Sequence, residues 1–245
     1  MGYAEAVQLP YDDKLVFADV RAGPQHADAS AALLDFVEQR ARELAAPSGK
    51  IRIWTAERAH DWRQTLEGRG YHVHRYSLRM LAGLDDEPSE PAWPDGIVIR
   101  TLRGEDDERA AYELQAETFA DQADDYVPEP FADWRHWVKR EPFDPELWFL
   151  AVAGDELVGV SLCRGEWAGD PQLGWVSVLG VRRPWRRQGL GSALLLHSFR
   201  ALRARGKTRV GLGVRADNAT GALRVYERVG MRVDSRQVWY EKAAA

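Results

Sequence analysis

The stretch Val176–Leu195, VSVLGVRRPWRRQGLGSALL, decides the fold. Its first six residues are apolar or small and predict a strand that ends at Val181. Basic residues and two glycines follow in Arg186–Gly191, and helical apolar spacing begins at Ser192. A helix N-terminus has unpaired N–H groups and a partial positive charge, and glycine lets an anion approach the backbone closely. A strand, a basic glycine-containing loop and a helix in this order therefore predict a phosphate-binding site.

The loop resembles the pyrophosphate-binding signature of the GNAT acetyltransferases, Arg/Gln-x-x-Gly-x-Gly/Ala, over Arg186–Gly191. It is not a P-loop, because no Gly-Lys-Ser/Thr follows, and it lacks the GxGxxG of dinucleotide sites. A second segment, Asp217–Met231 (DNATGALRVYERVGM), resembles the second motif of the same family. In that motif an Asn opens a helix, a Tyr lies two turns later, and Gly plus an apolar residue follow.

Periodicity around these motifs predicts alternating strands and helices and hence a mixed α/β (α+β) fold. The predicted elements are strand Ile97–Leu102, helices Asp106–Phe119 and Phe131–Lys139, strands Leu147–Ala153, Glu156–Cys163 and Gly174–Val181, helix Ser192–Arg205, strand Arg209–Val214, helix Asn218–Val229 and strand Gln237–Lys242. The resemblance implies a GNAT fold, with a mixed, mostly antiparallel sheet flanked by helices.

The family resemblance implies acetyl-CoA as cosubstrate and assigns roles to residues of both motifs. The loop would hold the pyrophosphate, and the strand before it would splay from its neighbour so that its backbone binds the pantetheine arm. In the family the N–H of the residue at Val181 faces the thioester oxygen, and the tyrosine at Tyr226 points its hydroxyl at the CoA sulfur. The residues expected to bind CoA are Leu179, Gly180, Val181, Arg186, Arg187, Gln188, Gly189, Leu190, Gly191, Ser192, Asn218 and Tyr226.

Acetyl transfer to an amine needs a proton donor for the thiolate and a way to obtain a neutral amine. Tyr226 is the candidate acid, since an un-ionised tyrosine can donate its proton, although a half-buried packing residue is the alternative. Asn218 is expected to cap the last helix. Many family members carry a Glu near the start of the strand that ends at Val181, but this sequence reads Leu173-Gly174-Trp175 there. Glu166, and Asp170 beside it, are the candidate bases, directly or through water, with Glu166 as the assigned residue. Solvated turn residues and a water chain to bulk solvent remain open.

The acceptor site is expected in the first two helices of this domain and the loop between them. That region is acidic, and an acidic mouth would attract a cationic amine, although a solvated helix face explains the charges equally well. Its acidic residues are Glu113, Glu117, Asp121, Asp124, Asp125 and Glu129, and the aromatics Trp134, Trp137 and Trp167 either line the pocket or pack.

The first part of the chain is predicted to repeat the pattern of the second, although any β-α-β-α-β stretch would look similar. At an offset of 161, Val20-Arg21 falls on Val181-Arg182, and its predicted elements have the same order. These elements are strand Leu15–Val20, helix Asp28–Ala45, strand Ile51–Thr55, helix Arg58–Glu67 and strand Tyr71–Met80. At offsets of 160 and 161, the positions equivalent to the loop fall near Gln25, His26, Asp28, Ala29, Ser30 and Ala31. At the offset of 160, where Arg69-Gly70-Tyr71 falls on Val229-Gly230-Met231, Tyr226 falls on Leu66. The first part therefore resembles a GNAT module that has lost CoA binding.

The domain prediction follows from the linker LDDEPSEPAWPDG, which has neither helical nor strand periodicity. Residues 1–83 form a truncated, degenerate GNAT-like half-module, residues 84–96 the Pro/acidic linker, and residues 97–245 the catalytic domain. This layout resembles tandem GNAT proteins of actinobacterial type, including mycothiol synthase. The fourteen residues before Leu15 are expected to supply none of the elements that a complete module has there. The half-module would then pack on the second module or pair two chains, or the chain begins downstream of the true start.

Composition excludes other classes of function. A net charge of −5 and a pI near 5.7 disfavour nucleic-acid binding. The single cysteine, Cys163, lies on an apolar strand and is expected to pack rather than react, and no Cys/His spacing suggests a metal. The chain shows no signal pattern and no bilayer-spanning apolar run, so we expect a soluble cytoplasmic protein without a membrane partner.

Two functions follow from these predictions. The first is an acetyl-CoA-dependent N-acetyltransferase that acts on a small-molecule amine by direct transfer in a ternary complex, with a homodimer as a possible assembly. The alternative is a non-catalytic acyl-CoA-binding or regulatory module. The absent strand carboxylate favours the second, and the retained Tyr226 favours the first.

Overall fold

The computed structural model describes residues 2–9, 11–22, 27–121, 126–139, 143–218 and 220–244. The chain divides into two compact units. Unit 1 contains residues 1–78, 215–217 and 235–245, and unit 2 contains residues 79–214 and 218–234. These limits differ from the ranges 1–83 and 97–245 expected from the sequence, because the end of the last strand belongs to unit 1.

Unit 1 is a sheet with two helices. Its elements are β1 (Gly2–Leu9), β2 (Asp12–Ala22), α1 (Ala27–Leu44), β3 (Lys50–Ala56), α2 (His60–Gly68) and the first part of β4 (His72–Gly83). Strands β1 and β2 are antiparallel, β2 and β3 are parallel, and β3 pairs with residues 237–243 of the last strand. The core is apolar and centres on Val16, Leu34, Ile51, Ile53 and Val238, each no more than 1% exposed.

Strand β1 corrects one expectation. The residues before Leu15 do supply an element, since β1 pairs with β2 from Gly2↔Ala22 onward. Its sequence alternates exposed Tyr3, Glu5 and Val7 with half-buried Ala4 and Ala6, which is the period of a strand. Alanine is depleted in strands, and this is why the segment gave a weak signal.

Unit 2 contains the predicted motifs. Its elements are β5 (Ile97–Thr101), α3 (Glu105–Ala120), α4 (Phe131–Val138), β6 (Trp148–Ala153), β7 (Glu156–Arg164), β8 (Leu173–Val181), α5 (Leu190–Ala204), β9 (Arg209–Arg215), α6 (Ala222–Arg228) and the start of β10 (Arg232–Ala243). The strand order β9-β8-β7-β6-β5 is antiparallel except for the β8–β9 pair. The predicted order of elements is confirmed, with shifted ends.

The acidic, proline-rich segment between Leu84 and Gly96 contains no helix or strand, but it is anchored on α5. Leu84 is buried and its N–H donates to the carbonyl of Thr208. Arg203 donates to the Leu84 carbonyl at 3.0 Å, and Arg200 donates to the Pro88 carbonyl at 2.8 Å. The segment therefore covers one side of the helix that follows the predicted phosphate loop.

Candidate functional site

Strand β8 separates from its parallel neighbour partway along its length. The β8–β9 ladder contains the pairs Leu173↔Arg209, Gly174↔Val210 and Trp175↔Gly211, and it ends there although both strands continue through described residues. Residues 176–181 therefore have a paired edge towards β7 and an open edge on the β9 side. This is the splay that the family resemblance implies.

The backbone groups at this open edge can be assigned from the ladder with β7. Gly159 lies opposite Val181, so Val158 lies opposite Arg182. Arg182 donates its N–H to the Val158 carbonyl at 3.0 Å, and the Val158–Arg182 pair is therefore hydrogen-bonded. Antiparallel pairs alternate, so the Gly159–Val181 and Ser161–Leu179 pairs are not hydrogen-bonded to each other. The N–H and carbonyl groups of Leu179 and Val181 therefore point to the open side. Because the Val181 carbonyl accepts from Arg186 Nε at 2.8 Å, an extended ligand could pair with both groups of Leu179 and with the Val181 N–H.

Gly180 is fixed by packing against α3. A Cβ at this position would lie 2.8 Å from Leu114 Cδ2 and 2.8 Å from Thr118 Oγ1. The only register shift in β8 falls between its pairs with Leu162 and Cys163, around Ser177, and not at Gly180. Neither a bulge nor a ligand is therefore needed to explain this glycine, which allows α3 to approach the strand closely.

The predicted phosphate loop has an unusual backbone. Arg187 has φ +62°, which costs a non-glycine residue roughly 1–2 kcal/mol, and Gly189 has φ +89° at the N-cap of α5. The first helical bond runs from Ala193 N–H to the Gly189 carbonyl at 3.0 Å. The N–H groups of the three residues before Ala193 thus have no intrahelical acceptor. No Cβ contact would arise within 4 Å at Gly189, so the space in front of the helix is open.

The polar side chains of the loop are mostly engaged by the protein. Arg186 donates to the Val181 carbonyl at 2.8 Å and to Asp121 at 2.6 Å. Gln188 donates to the Pro184 carbonyl at 2.8 Å. Arg187 is exposed and has no hydrogen-bond or ion-pair partner among the described residues. The loop therefore offers an anion its backbone N–H groups and Arg187, whereas Arg186 and Gln188 hold the loop in shape.

Gly191 lies where three elements meet. A Cβ there would be 3.8 Å from Val225 Cγ1 on α6 and 3.9 Å from Val181 Cγ2 at the end of β8. Leu190 is buried, so its side chain faces the core, whereas Ser192 is half-buried. The structure thus brings the end of β8 and the middle of α6 to the N-terminus of α5, so that residues of both sequence motifs lie together.

Tyr226 lies on α6 with only 7% of its surface exposed. Burial raises the pKa of its phenol to about 12. The hydroxyl is therefore protonated at neutral pH and remains so well into the alkaline range. Its position next to Val225, the neighbour of Gly191, places it on the helix that faces the start of α5.

Asn218 does not cap α6, which corrects the sequence expectation. The helix begins at Ala222, four residues later than Asn218, with Gly221 at φ +78° as its N-cap. The Asn218 side-chain oxygen Oδ1 instead accepts from the N–H of Thr220 at 2.9 Å and from its hydroxyl. Asn218 thus shapes the turn between β9 and α6.

Glu166 lies at the opposite end of β8 from Val181. It follows Arg164, which pairs with Trp175, and Trp175 is six residues from Val181 along the strand. At the usual rise per residue this separation is roughly 20 Å. The adjacent turn is held by Trp167, whose ring stacks on Trp175 at 4.5 Å. The structure does not bring Glu166 to the end of β8 where the other predicted residues meet.

The acidic residues expected around the acceptor have different environments. Asp121 pairs with Arg183 and Arg186, and Glu117 lies 3.4 Å from Arg182. Burial and the neighbouring Asp133 raise the pKa of Glu129. Asp124 and Asp125 lie outside the described residues, and Glu113 lies on α3. Two of the six charges are therefore neutralised by arginines rather than free to attract a cation.

The three candidate aromatics also differ. Trp134 is fully buried and donates its indole N–H to Gln115 at 2.8 Å, so it is a packing residue. Trp137 is 38% exposed and lies under the Arg164 guanidinium. Only Trp137 and Trp167 therefore retain exposed surface for a ligand.

Cys163 is buried, as expected from its strand. Burial raises the pKa of its thiol to about 11, so the thiolate is absent at neutral pH. Within the described ranges, the His, Cys, Asp and Glu side chains form no group of three suited to a metal ion. In the same part of the chain, no helix combines the length and apolarity needed to cross a membrane.

Two residues of the site were not predicted in the role that the structure gives them. Asp121 was expected only among the acidic residues around the acceptor, but it holds Arg183 and Arg186, a role that sequence alone cannot distinguish from those of its acidic neighbours. The Ser177 hydroxyl is buried at the bulge of β8, next to the point where β9 departs, and has no hydrogen-bond partner among the described residues. Only the register between β8 and β7 shows that Ser177 lies at this bulge.

Comparisons with known proteins agree with this geometry. The profile of the acetyltransferase (GNAT) family matches residues 109–231. A mycothiol acetyltransferase from Streptomyces scabiei is 37% identical over 191 residues, which are 76% of this chain and 60% of that protein. A mycothiol acetyltransferase from Catenulispora acidiphila is 32% identical over 98% of this chain and 76% of its own length. The chain thus spans only part of the length of these relatives.

Solved structures show the same fold. A GCN5-related N-acetyltransferase from Sphaerobacter thermophilus superposes with a TM-score of 0.83 at 33% identity, over 99% of this chain and 76% of that one. A tandem GNAT protein from the clavulanic acid biosynthesis pathway gives a TM-score of 0.73 at 16% identity, over 95% of this chain and 76% of its own, which is a likeness of fold alone. The predicted mixed α/β class, with a mostly antiparallel sheet and flanking helices, is confirmed.

Proposed function

Because the chain belongs to the acetyltransferase (GNAT) family, we propose that it transfers an acetyl group from acetyl-CoA to the amine of a small-molecule acceptor. The transfer is direct and takes place in a ternary complex. The observation that carries this proposal is the open edge of β8 next to the glycine N-cap of α5. An acyl-CoA needs both features, since its arm is an extended chain of amides and its pyrophosphate is an anion.

We assign the cofactor contacts as follows. The pantetheine amides pair with the backbone of Leu179 and Val181, and the pyrophosphate accepts from the N–H groups at the start of α5. The Val181 N–H is the donor for the thioester oxygen, and a donor at this oxygen stabilises the negative charge that develops in the transition state. The CoA-contacting set remains the one expected from the sequence, except that Arg186 and Gln188 act through their backbone and through the shape of the loop.

The proposed acid is Tyr226, which gives its proton to the departing thiolate. A phenol whose pKa is about 12 is a poor acid in bulk water, but it is fully protonated at neutral pH and can donate a hydrogen bond as charge grows on sulfur. The proposed base, Glu166, lies roughly 20 Å along β8 from Val181, so it can act there only through a chain of water molecules. Deprotonation by bulk solvent is the competing route.

The proposal is tested by thiol release from acetyl-CoA over a panel of small amines, including the des-acetyl form of mycothiol suggested by the relatives' names. Amine-dependent release of CoA supports the enzyme. Tight CoA binding in calorimetry with no turnover on any amine would instead support the acyl-CoA-binding module, which the missing carboxylate at the start of β8 favours. Failure to bind CoA would contradict both.

A further inference from the structure

Asp121 connects helix α3 to the predicted phosphate loop. It is the residue after Ala120, where α3 ends, and its side chain is 14% exposed. Its carboxylate accepts from Arg183 Nε at 3.0 Å and from a terminal nitrogen of Arg186 at 2.6 Å. The hydrogen bonds from Arg183, with those from Arg186, lower the pKa of the Asp121 carboxyl, so it is ionised at neutral pH.

The Arg186 guanidinium has a second acceptor, which lies on β8. Its Nε donates to the Val181 carbonyl at 2.8 Å, so one side chain joins the end of the strand to the end of α3. The planar fork of arginine can make both bonds at once because its donors point in fixed directions. The next residue is Arg187, which adopts φ +62°. The Asp121–Arg186–Val181 connection therefore lies directly before the strained residue of the loop.

Helix α3 also fixes β8 through Gly180, where Leu114 and Thr118 leave no room for a Cβ. The end of β8 and the loop are thus both held by helix α3 and the residue that follows it. Strain at a loop residue persists only where the surroundings determine the conformation. The ion pairs of Asp121 help to fix the conformation of this loop.

We propose that Asp121 is a positioning residue for the CoA site: it holds Arg183 and Arg186 so that the loop keeps the conformation that presents its N–H groups to the pyrophosphate. This inference rests on the proposed function. It also assigns Arg186 as a brace of the loop rather than a side-chain ligand of phosphate. The two assignments make opposite predictions for removal of the Asp121 charge. If Arg186 were a phosphate ligand, loss of its carboxylate partner would free its guanidinium for the pyrophosphate, and CoA would bind at least as tightly. If Arg186 is a brace, CoA binds more weakly.

The test is Asp121→Asn, which keeps the shape of the side chain and removes its charge. We expect CoA to bind about tenfold more weakly in calorimetry, because charge-assisted bonds that hold the loop are replaced by weaker ones. Arg186→Lys keeps the positive charge but loses the fork, and we expect a similar loss. Since both residues act in one connection, the double variant should bind no more than about twofold worse than either single variant.

A truncated thioester separates positioning of the loop from a general loosening of the fold. S-acetylpantetheine lacks the pyrophosphate, so Asp121→Asn should lower kcat/KM about tenfold for acetyl-CoA and leave it within twofold for S-acetylpantetheine. An equal loss for both substrates overturns the inference. Glu156→Gln is the matched control, because Glu156 pairs with the neighbouring Arg182 at 3.0 Å on the surface and, among the described residues, makes no hydrogen bond or ion pair with the loop. It should bind CoA like the wild type.

The outcomes also distinguish this inference from the function on which it rests. If Asp121→Asn binds CoA as tightly as the wild type, or more tightly, the positioning role is wrong and the proposed function stands. If the wild-type chain binds no CoA, the proposed function is wrong and the inference fails with it. A Glu156→Gln loss equal to that of Asp121→Asn would show that any acidic partner in this arginine-rich stretch has the same effect, which contradicts a specific role.

Discussion

Replacing Gly191 with aspartate tests the phosphate site most directly. Gly191 is the second residue of α5, beside the open space in front of Gly189. A carboxylate about 5 Å from a pyrophosphate of about two negative charges is disfavoured by about 1.7 kcal/mol in bulk water, and by about four times as much near a protein surface. Even the smaller energy weakens CoA binding by about 15-fold. We expect at least this loss in calorimetry.

The fold should survive this change, which makes the result interpretable. A Cβ at Gly191 meets its nearest atoms at 3.8 and 3.9 Å, which is ordinary contact, and an acidic residue in the first turn of a helix is favourable. The urea midpoint should therefore not fall. Gly191→Ala adds the Cβ without the charge and should lose much less CoA affinity than Gly191→Asp. An Asp variant that binds CoA with wild-type affinity would refute the placement of the pyrophosphate at this helix.

Tyr226→Phe should lower turnover about 10²-fold with little change in CoA affinity, and turnover within twofold of wild type would exclude the acid role. Burial raises the pKa of the Tyr226 phenol to about 12 in the folded state. The contribution of this residue to the free energy of unfolding is therefore complete below pH 10 and is lost as the pH rises towards 12. The Phe variant should lack this part of the alkaline decline in stability. Gly211→Ala should lower the free energy of unfolding in urea by about 1–3 kcal/mol, because the added Cβ would lie 2.6 Å from the Trp175 ring. Gly213→Ala is the control, because a Cβ there has its nearest atom at 3.9 Å, and equal urea midpoints for the two variants would contradict this packing. Deleting residues 1–89 should give a fragment that precipitates or binds CoA poorly, because the deletion removes β3, the strand that pairs with the end of β10. A fragment that is soluble and monomeric in size exclusion and fully active in the transfer assay would contradict this expectation.

The sequence predicted the order of elements well because most of them have a strong period and clear ends. Helix α5, for example, has buried Leu195, Phe199 and Leu202 at helical spacing and stops before Gly206. Strand β1 was missed because its inward side chains are alanines, which carry little hydrophobic signal. Element ends were less predictable, since local turns such as the one at Asn218 decide where a helix begins.

The candidate site was predictable in its backbone and less so in its side chains. Gly189 and its positive φ follow from the motif, because few other residues adopt that conformation. The engagement of Arg186 with Val181 and Asp121 could not be predicted, since Asp121 is 65 residues away in the chain. The register between β7 and β8 was equally hidden, and it places Glu166 beside the start of β8 and away from the end where the other predicted residues meet.

The parallel ladder of unit 1 differs from that of unit 2 at a position that bears on the predicted loss of CoA binding in the first part of the chain. At the offset of the repeat, Ala18 corresponds to Leu179, and Ala18 still pairs with Ile53 on β3. In unit 2 the equivalent ladder stops at Trp175, four residues earlier. At the position equivalent to Leu179, unit 1 thus pairs with its own strand β3, whereas unit 2 leaves an open edge; the ladder of unit 1 does not extend to Val20, the equivalent of Val181. If unit 1 derives from a CoA-binding module, as the sequence predicts, pairing at this position would remove part of the open edge that an extended ligand uses. The glycines and arginines of an anion site would then no longer be required, while the strands keep their architecture.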